Sequence, residues 1–198
     1  MDLLLCGSFD SEERDAWLVE LQRAMPDARW HLHVPTQNAG RIVAAVVANP
    51  PPGSLQGLPG LRLIQSLWAG VDRLLDDPSL PDVPLARMVD PAMSAAMAET
   101  ALWATLSLHR RFFDYAQQQR DRHWYPLPQR RADEIEVAVL GMGQMGRTCA
   151  RRLLETGYRV IGWNLHGGTI AGMALEHGLE ALWPLLARSD IVINLLPL

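Results

Sequence analysis

The chain has 198 residues, 48% hydrophobic and 20% charged, with 22 acidic residues against 18 basic ones and a net charge of −4. This is a globular composition, long enough for one large core or two small ones, and it excludes compositional disorder and a dominant nucleic-acid surface. Every basic residue is Arg, which excludes a Schiff-base or pyridoxal lysine and a P-loop lysine.

In chain order, Leu3 to Cys6 reads as a short apolar strand that stops at Gly7. Asp10 and Glu13 then have the spacing of a capping box, and Trp17, Leu18, Leu21 and Met25 mark the apolar face of a helix that ends at Pro26. Trp30 to Val34 alternates like a strand. Ile42 to Ala48 is a continuous apolar run, as expected for a strand buried on both faces, and Asn49-Pro50-Pro51-Pro52-Gly53 stops it. Leu61 to Leu67 and Leu85 to Val89 complete a set of strands separated by helical segments, which predicts a parallel sheet. From Met93 to Arg122 there is no Gly or Pro, and the pattern predicts one long helix, apolar nearly all round and therefore buried on most sides. Tyr125-Pro126-Leu127-Pro128 breaks it as a linker. Beyond the linker come a strand (Ile135–Leu140), a helix (Gln144–Glu155), a second strand (Tyr158–Trp163), a helix (Leu179–Arg188) and a third strand (Ile191–Leu196).

Gly141-Met142-Gly143-Gln144-Met145-Gly146 follows an apolar strand and opens a helix inside a βαβ unit, the context in which G-x-G-x-x-G binds a dinucleotide. Gly141 allows the tight turn, Gly143 lets a pyrophosphate approach the backbone, and Gly146 lets helix and strand pack closely. The helix-start N–H groups face the phosphates. The second strand ends near Asn164, eighteen residues after Gly146, where an Asp or Glu would bind the ribose 2′-hydroxyl. Asn164 does not repel a 2′-phosphate, and no Arg follows in Leu165-His166-Gly167-Gly168. The cofactor expected is therefore NADP or NAD, with NADP favoured of the two. His166 is either a phosphate contact or a solvated loop residue.

Other features read as structural. His31 and His33 share a strand face but lack a third ligand, so no metal is expected. Cys6 and Cys149 are the only cysteines, which rules out a disulfide framework; Cys149 reads as a small apolar core residue. Met1 to Leu5 lacks the basic region of a signal peptide, and no apolar run approaches the ~18 residues of a bilayer span. A soluble, cytoplasmic protein with no membrane or nucleic-acid partner is expected.

Several stretches together resemble the D-2-hydroxyacid dehydrogenase family, in particular its glyoxylate/hydroxypyruvate reductase A branch. They are Leu63 to Asp72, Val83 to Asp90, Met93 to Glu99, Arg110-Arg111-Phe112, Trp124 to Leu127, the glycine motif, and Ile193 to Pro197. The resemblance implies an α/β protein of two lobes: a flavodoxin-like parallel-sheet substrate lobe (1–91), a connecting helix in the dimer interface (92–122), and the first half of a Rossmann dinucleotide-binding domain (123–198). It implies reduction of a small 2-keto acid by hydride from NAD(P)H, in a homodimer. The backbone of Trp68-Ala69-Gly70-Val71 would hold the substrate carboxylate. Gly141 to Gly146, Asn164, Leu165 and His166 would hold the cofactor, with Leu195, Leu196 and Pro197 walling its cleft.

Two features depart from the branch. Ala48 stands where it usually has an aromatic residue, and its basic residues after the second strand are absent. The family's Arg, and its Glu–His pair, fall beyond Leu198, so no catalytic residue is expected in this chain. By itself it is expected to be inactive, with the strand Ile135–Leu140 left open at one edge. A non-catalytic nucleotide sensor or partner-binding module on the same fold is the alternative, and a dehydrogenase on another scaffold sharing only the glycine motif is a third reading.

Overall fold

A computed structural model describes residues 1–197. The chain divides into two compact units, Met1–Val89 and Asp90–Leu198.

The first unit is a five-stranded, all-parallel sheet. It is built from β1 (Asp2–Gly7), β2 (Arg29–His31), β3 (Ile42–Ala48), β4 (Leu63–Ser66) and β5 (Leu85–Ala86), in spatial order β2-β1-β3-β4-β5. This is the flavodoxin-like order, with the topological switch between β1 and β3. Helix α1 (Ser11–Ala24) is capped by Asp10, whose carboxylate accepts the Glu13 N–H at 2.8 Å. The apolar runs become buried strands: Leu4, Ile42, Ala45, Val47 and Ile64 are fully enclosed. The alternating segment Trp30–Val34 forms a strand only as far as His31, because β2 is an edge strand paired on one side.

The second unit has a four-stranded parallel sheet of β6 (Glu136–Leu140), β7 (Arg159–Asn164), β8 (Ala174–His177) and β9 (Ile191–Asn194), in order β8-β7-β6-β9. Two expectations are corrected here. The strand at Ile191 is the fourth, not the third; β8 is the third, lying in a glycine-bearing stretch whose apolar residues are too sparse to read as a strand. And β6 is not left open: β7 pairs one edge and β9 the other, so all five of its residues are buried and the edge strands are β8 and β9.

The long helix is also two. Helix α3 (Pro91–His109) starts at Asp90, whose carboxylate accepts the Ala92 and Met93 N–H groups, and α4 (Phe112–Arg120) follows a break at Arg111, which is left-handed at φ 59°. The Arg111 guanidinium bonds Asp114 at 2.7 Å across the break. Nor is α3 buried on most sides. Its small residues Ser94, Ala98, Ala101, Thr105 and Ser107 face inward, Ala98 and Ala101 packing with Cys149 of α5 (Gln144–Glu155). Of its large ones, Leu102 and Leu106 pack against the core of the second unit, while Trp103 and Leu108 are exposed, together with Phe112 and Phe113 of α4. Small side chains let the helices approach closely, and Cys149, fully buried, has its thiol pushed up by burial. Helix α6 (Leu179–Arg188) buries Leu185 against Ala138, Leu140 and Trp163. No helix among the described residues is long and apolar enough to cross a membrane.

Candidate functional site

In the second unit, the crevice at the carboxyl end of the sheet follows from strand order. Because β9 lies beside β6 while β7 leaves on the other side, the chain diverges there, the position at which open α/β sheets take ligands. The turn Gly141–Gly143 lies in that divergence. Gly141 donates to the Trp163 carbonyl at 2.9 Å on the β7 side, and Leu195 donates to the Leu140 carbonyl at 2.8 Å on the β9 side.

The three glycines differ in what constrains them. Gly141 has φ 93°, and a Cβ there would lie 2.6 Å from the Leu195 carbonyl oxygen. A Cβ on Gly146 would lie 2.0 Å from the Gly141 carbonyl oxygen, so only glycine lets α5 start this close to the turn. Gly143 meets nothing within 4 Å. Neither its conformation nor its packing requires glycine; it borders open space. The N–H groups of Met142, Gly143, Gln144, Met145 and Gly146 take no acceptor among the described residues. Free donors around open space, at the start of a twelve-residue helix, are the complement of a diphosphate, so the residues fit a dinucleotide.

The side chains within this loop do other work. Met142 is buried and packs on Gly162, where a Cβ would sit 2.7 Å from its sulfur; Met145 packs with Ala98, Ala101 and Cys149. Of the two, only the backbone is free to face a ligand. The Arg147 guanidinium Nε donates to the Met142 carbonyl at 3.0 Å, occupying that acceptor. Sequence reasoning passed over Arg147 and Gly162, although a glycine inside a strand is a signal of close approach. The backbone of Leu195 and Leu196 lies against Gly141, where a Cβ would come within 2.6 Å of the Leu195 oxygen and 3.0 Å of the Leu196 nitrogen; the Leu196 and Pro197 side chains are exposed. Asn164 ends β7; Leu165 and His166 follow it as exposed residues.

In the first unit, Trp68-Ala69-Gly70-Val71 forms a turn stapled from beneath by the buried Ser66 hydroxyl, which lies 3.0 Å from the Trp68 N–H and 3.1 Å from the Trp68 carbonyl. The Trp68 carbonyl also accepts from the Met88 N–H at 3.2 Å, and the Ala69 carbonyl accepts from Arg87 at 3.2 Å. With both carbonyls occupied, the N–H groups of Ala69, Gly70 and Val71 remain without acceptors among the described residues. A Cβ on Gly70 would make only ordinary contact, with Asp72 at 3.8 Å, so there too glycine borders space rather than packing. The following helix α2 (Asp72–Leu75) is a single turn, so the anion-favouring element is the row of N–H groups and the Arg87 cation beside them, more than a helix dipole. Arg87 is a residue that motif reading left without a role.

These features fit a dinucleotide-binding α/β protein, and comparison narrows the class. Residues 102–198 match the family described as D-isomer specific 2-hydroxyacid dehydrogenase, NAD binding domain, and this stretch of the chain belongs to that family. It is 34% identical over 194 residues to glyoxylate/hydroxypyruvate reductase A of Yersinia enterocolitica, covering 93% of this chain and 61% of that protein. Among solved structures, it is similar to a D-isomer specific 2-hydroxyacid dehydrogenase from Xanthobacter autotrophicus Py2 in complex with NADPH and MES. That match has 35% identity and a TM-score of 0.89, covering 100% of this chain and 64% of that one. It is also similar to an NADPH-dependent glyoxylate/hydroxypyruvate reductase from Sinorhizobium meliloti in complex with NADP and sulfate, at 31% identity and a TM-score of 0.84, covering 100% of this chain and 62% of that one. The chain thus spans less than two thirds of the length of these relatives. The cofactor class is NADP or NAD.

Proposed function

We propose that the chain is the cofactor- and carboxylate-binding portion of an NAD(P)H-dependent reductase that converts a small 2-keto acid, of the glyoxylate or hydroxypyruvate type, to its 2-hydroxy acid. The observation that carries this reading is the turn Gly141–Gly146, where five consecutive N–H groups have no acceptor among the described residues and a side chain at Gly143 would meet open space. The named activity of the Yersinia enterocolitica and Sinorhizobium meliloti relatives supports the substrate class.

In this reading the N–H groups from Met142 to Gly146 bind the diphosphate, Leu195, Leu196 and Pro197 wall the cofactor, and Asn164, Leu165 and His166 border its adenosine end. Bound cofactor supplies hydride to the carbonyl carbon. The N–H groups of Ala69, Gly70 and Val71, with Trp68 at the turn, hold the keto acid's carboxylate, and Arg87 adds positive charge beside it. The carbonyl oxygen must also gain a proton. The reading assigns that proton to none of residues 1–197, so it expects no turnover of glyoxylate by this chain with NADPH, but saturable binding of NADPH. Turnover would overturn the assignment of roles, and absence of binding would overturn the reading itself.

The same reading includes a homodimer. Its support is the exposed aromatic surface of the second unit, where Trp103 and Phe113 meet edge-to-face at 6.3 Å with Phe112 and Leu108 also exposed. A second copy is the expected cover. Sedimentation at micromolar concentration should give twice the chain mass, and the double change Trp103→Ser with Phe113→Ser should give the monomer mass.

A further inference from the structure

In the first unit, the chain diverges at the carboxyl ends of β1 and β3, the switch point at which open α/β sheets take ligands. A cavity of about 430 Å³ lies there, between the loop after β3 (residues 49–52) and the segment Arg73–Pro78. Small-molecule pockets span ~300–1,000 Å³. The walls of this one are tied together. The Asp77 carboxylate accepts the Gly53 N–H at 3.1 Å, the Ser79 hydroxyl at 2.6 Å and the Ser79 N–H at 2.9 Å. These bonds, that of the Ser79 hydroxyl foremost, hold the Asp77 carboxyl below the usual carboxylate range. From the β1 side, the Ser8 hydroxyl donates to the Asn49 carbonyl at 2.9 Å and the Ser8 N–H to the Ala48 carbonyl at 3.0 Å. Pro50 to Pro52 have fixed φ and no N–H, so the wall they form is stiff and apolar. Two lining groups are left over. Arg73 and Asp76, three residues apart, form no ion pair with each other, and their side chains make no hydrogen bond among the described residues.

One unpaired cation and one unpaired carboxylate in the same cavity restrict what fits. A simple anion would meet Arg73 but also face the carboxylates of Asp76 and Asp77. A metal ion would be repelled by Arg73, and no group of three metal-ligating side chains exists among the described residues. A molecule carrying both charges satisfies both groups. We propose that this cavity binds a free α-amino acid with an apolar side chain: its carboxylate on the Arg73 guanidinium, its ammonium on the Asp76 carboxylate, and its side chain against Leu74 and the prolines. Guanidinium suits the carboxylate because its donors match two oxygens at once. A 2-keto acid has no ammonium and leaves Asp76 unpaired, so the cavity discriminates against the molecules assigned to the turn Trp68–Val71. The inference concerns the first unit alone and rests neither on the glycine turn nor on the reductase reading.

The test is titration of the native chain with L-valine, followed through the backbone amide signals of Ser8, Asn49 and Arg73 by NMR. The expected result is saturable shifts centred on these residues, in the millimolar range that exposed charge pairs support. L-Valinamide, which lacks the carboxylate, and the 2-keto analogue of valine, which lacks the ammonium, should each bind about fivefold more weakly. Arg73→Gln and Asp76→Asn should each weaken L-valine by a similar factor, with circular dichroism and the urea midpoint unchanged. The absence of saturable shifts, or shifts centred on Ala69 to Val71 instead, overturns the proposal, as does native affinity in both variants. Equal affinity for valine and its keto analogue overturns the amino-acid assignment in favour of a plain carboxylate. The ligand series needs no variant, so it decides the matter by itself.

Discussion

At the residue scale, the three glycines of one motif do unlike things, and the difference is measurable. Gly146 is held by packing: a methyl group there would drive into the Gly141 carbonyl at 2.0 Å, and that oxygen belongs to backbone that cannot swing aside. Gly146→Ala should lower stability by about 2–3 kcal/mol, the cost of overpacking a close contact, seen as a lower urea midpoint with unchanged slope. Gly143→Ala should leave the unfolding free energy from urea titration within about 0.5 kcal/mol of native, because the added methyl meets no atom within 4 Å, yet weaken NADPH binding. If the two substitutions cost the same stability, the distinction between packing glycine and ligand glycine is wrong. The motif assigns the two glycines these different tasks, and the neighbouring backbone gives the distances: 2.0 Å to a carbonyl oxygen at Gly146, nothing within 4 Å at Gly143.

At the scale of elements, what was legible in the sequence was whatever depends on local chemistry. The Asp10 cap, the buried run Ile42–Ala48 and the helices Gln144–Glu155 and Leu179–Arg188 all follow from side-chain type and period. The break between α3 and α4 was not legible, because the left-handed residue is Arg111 rather than Gly or Asn, and its ion pair with Asp114 has no distinctive spacing. An L-residue in that conformation carries a backbone cost. Arg111→Gly should therefore be tolerated, whereas Arg111→Val should destabilise by roughly 1–2 kcal/mol in thermal melts. Strand β8 was missed for another reason: Ala174-Leu175-Glu176-His177 has no strong pattern of its own and is recruited by the exposed edge of β7. The substrate-side turn was legible only in part, since the roles of Ser66 beneath it and Arg87 beside it are set by folding, not by adjacency. A further element-level device ties the linker to the sheet. Asp190, just before β9, accepts from Arg130 and, at 2.9 Å, from the Glu136 N–H; these bonds, the Arg130 one foremost, hold its carboxyl below the usual carboxylate range. A depressed folded-state value adds stability that is present above the unfolded value, about 3.9, and is lost as pH falls below it through the folded one. Asp190→Asn should lower stability at pH 7 and flatten its further decline below pH ~4 in acid titrations followed by circular dichroism. An unchanged acid profile would show that the Arg130–Asp190 contact contributes nothing.

At the scale of the whole molecule, two surfaces of the second unit bear on association. One is the outer edge of β9, where Val192 and Asn194 are exposed and the strand pairs only with β6. Free edges of apolar strands template association. Val192→Lys on that edge should therefore reduce concentration-dependent light scattering without altering cofactor affinity. The other is the aromatic surface around Trp103 and Phe113. The crevice at Gly141–Gly146 lies where the chain diverges between β6 and β9. The central claim is that this crevice binds a nicotinamide dinucleotide through its backbone. Its most direct test is fluorescence titration of NADPH into the native chain and into Gly143→Val, with circular dichroism verifying that both are folded. The account predicts saturable binding by the native chain and at least about a tenfold loss in the variant, a branched side chain there occupying the space required by the diphosphate. Equal affinity of two equally folded proteins would contradict it.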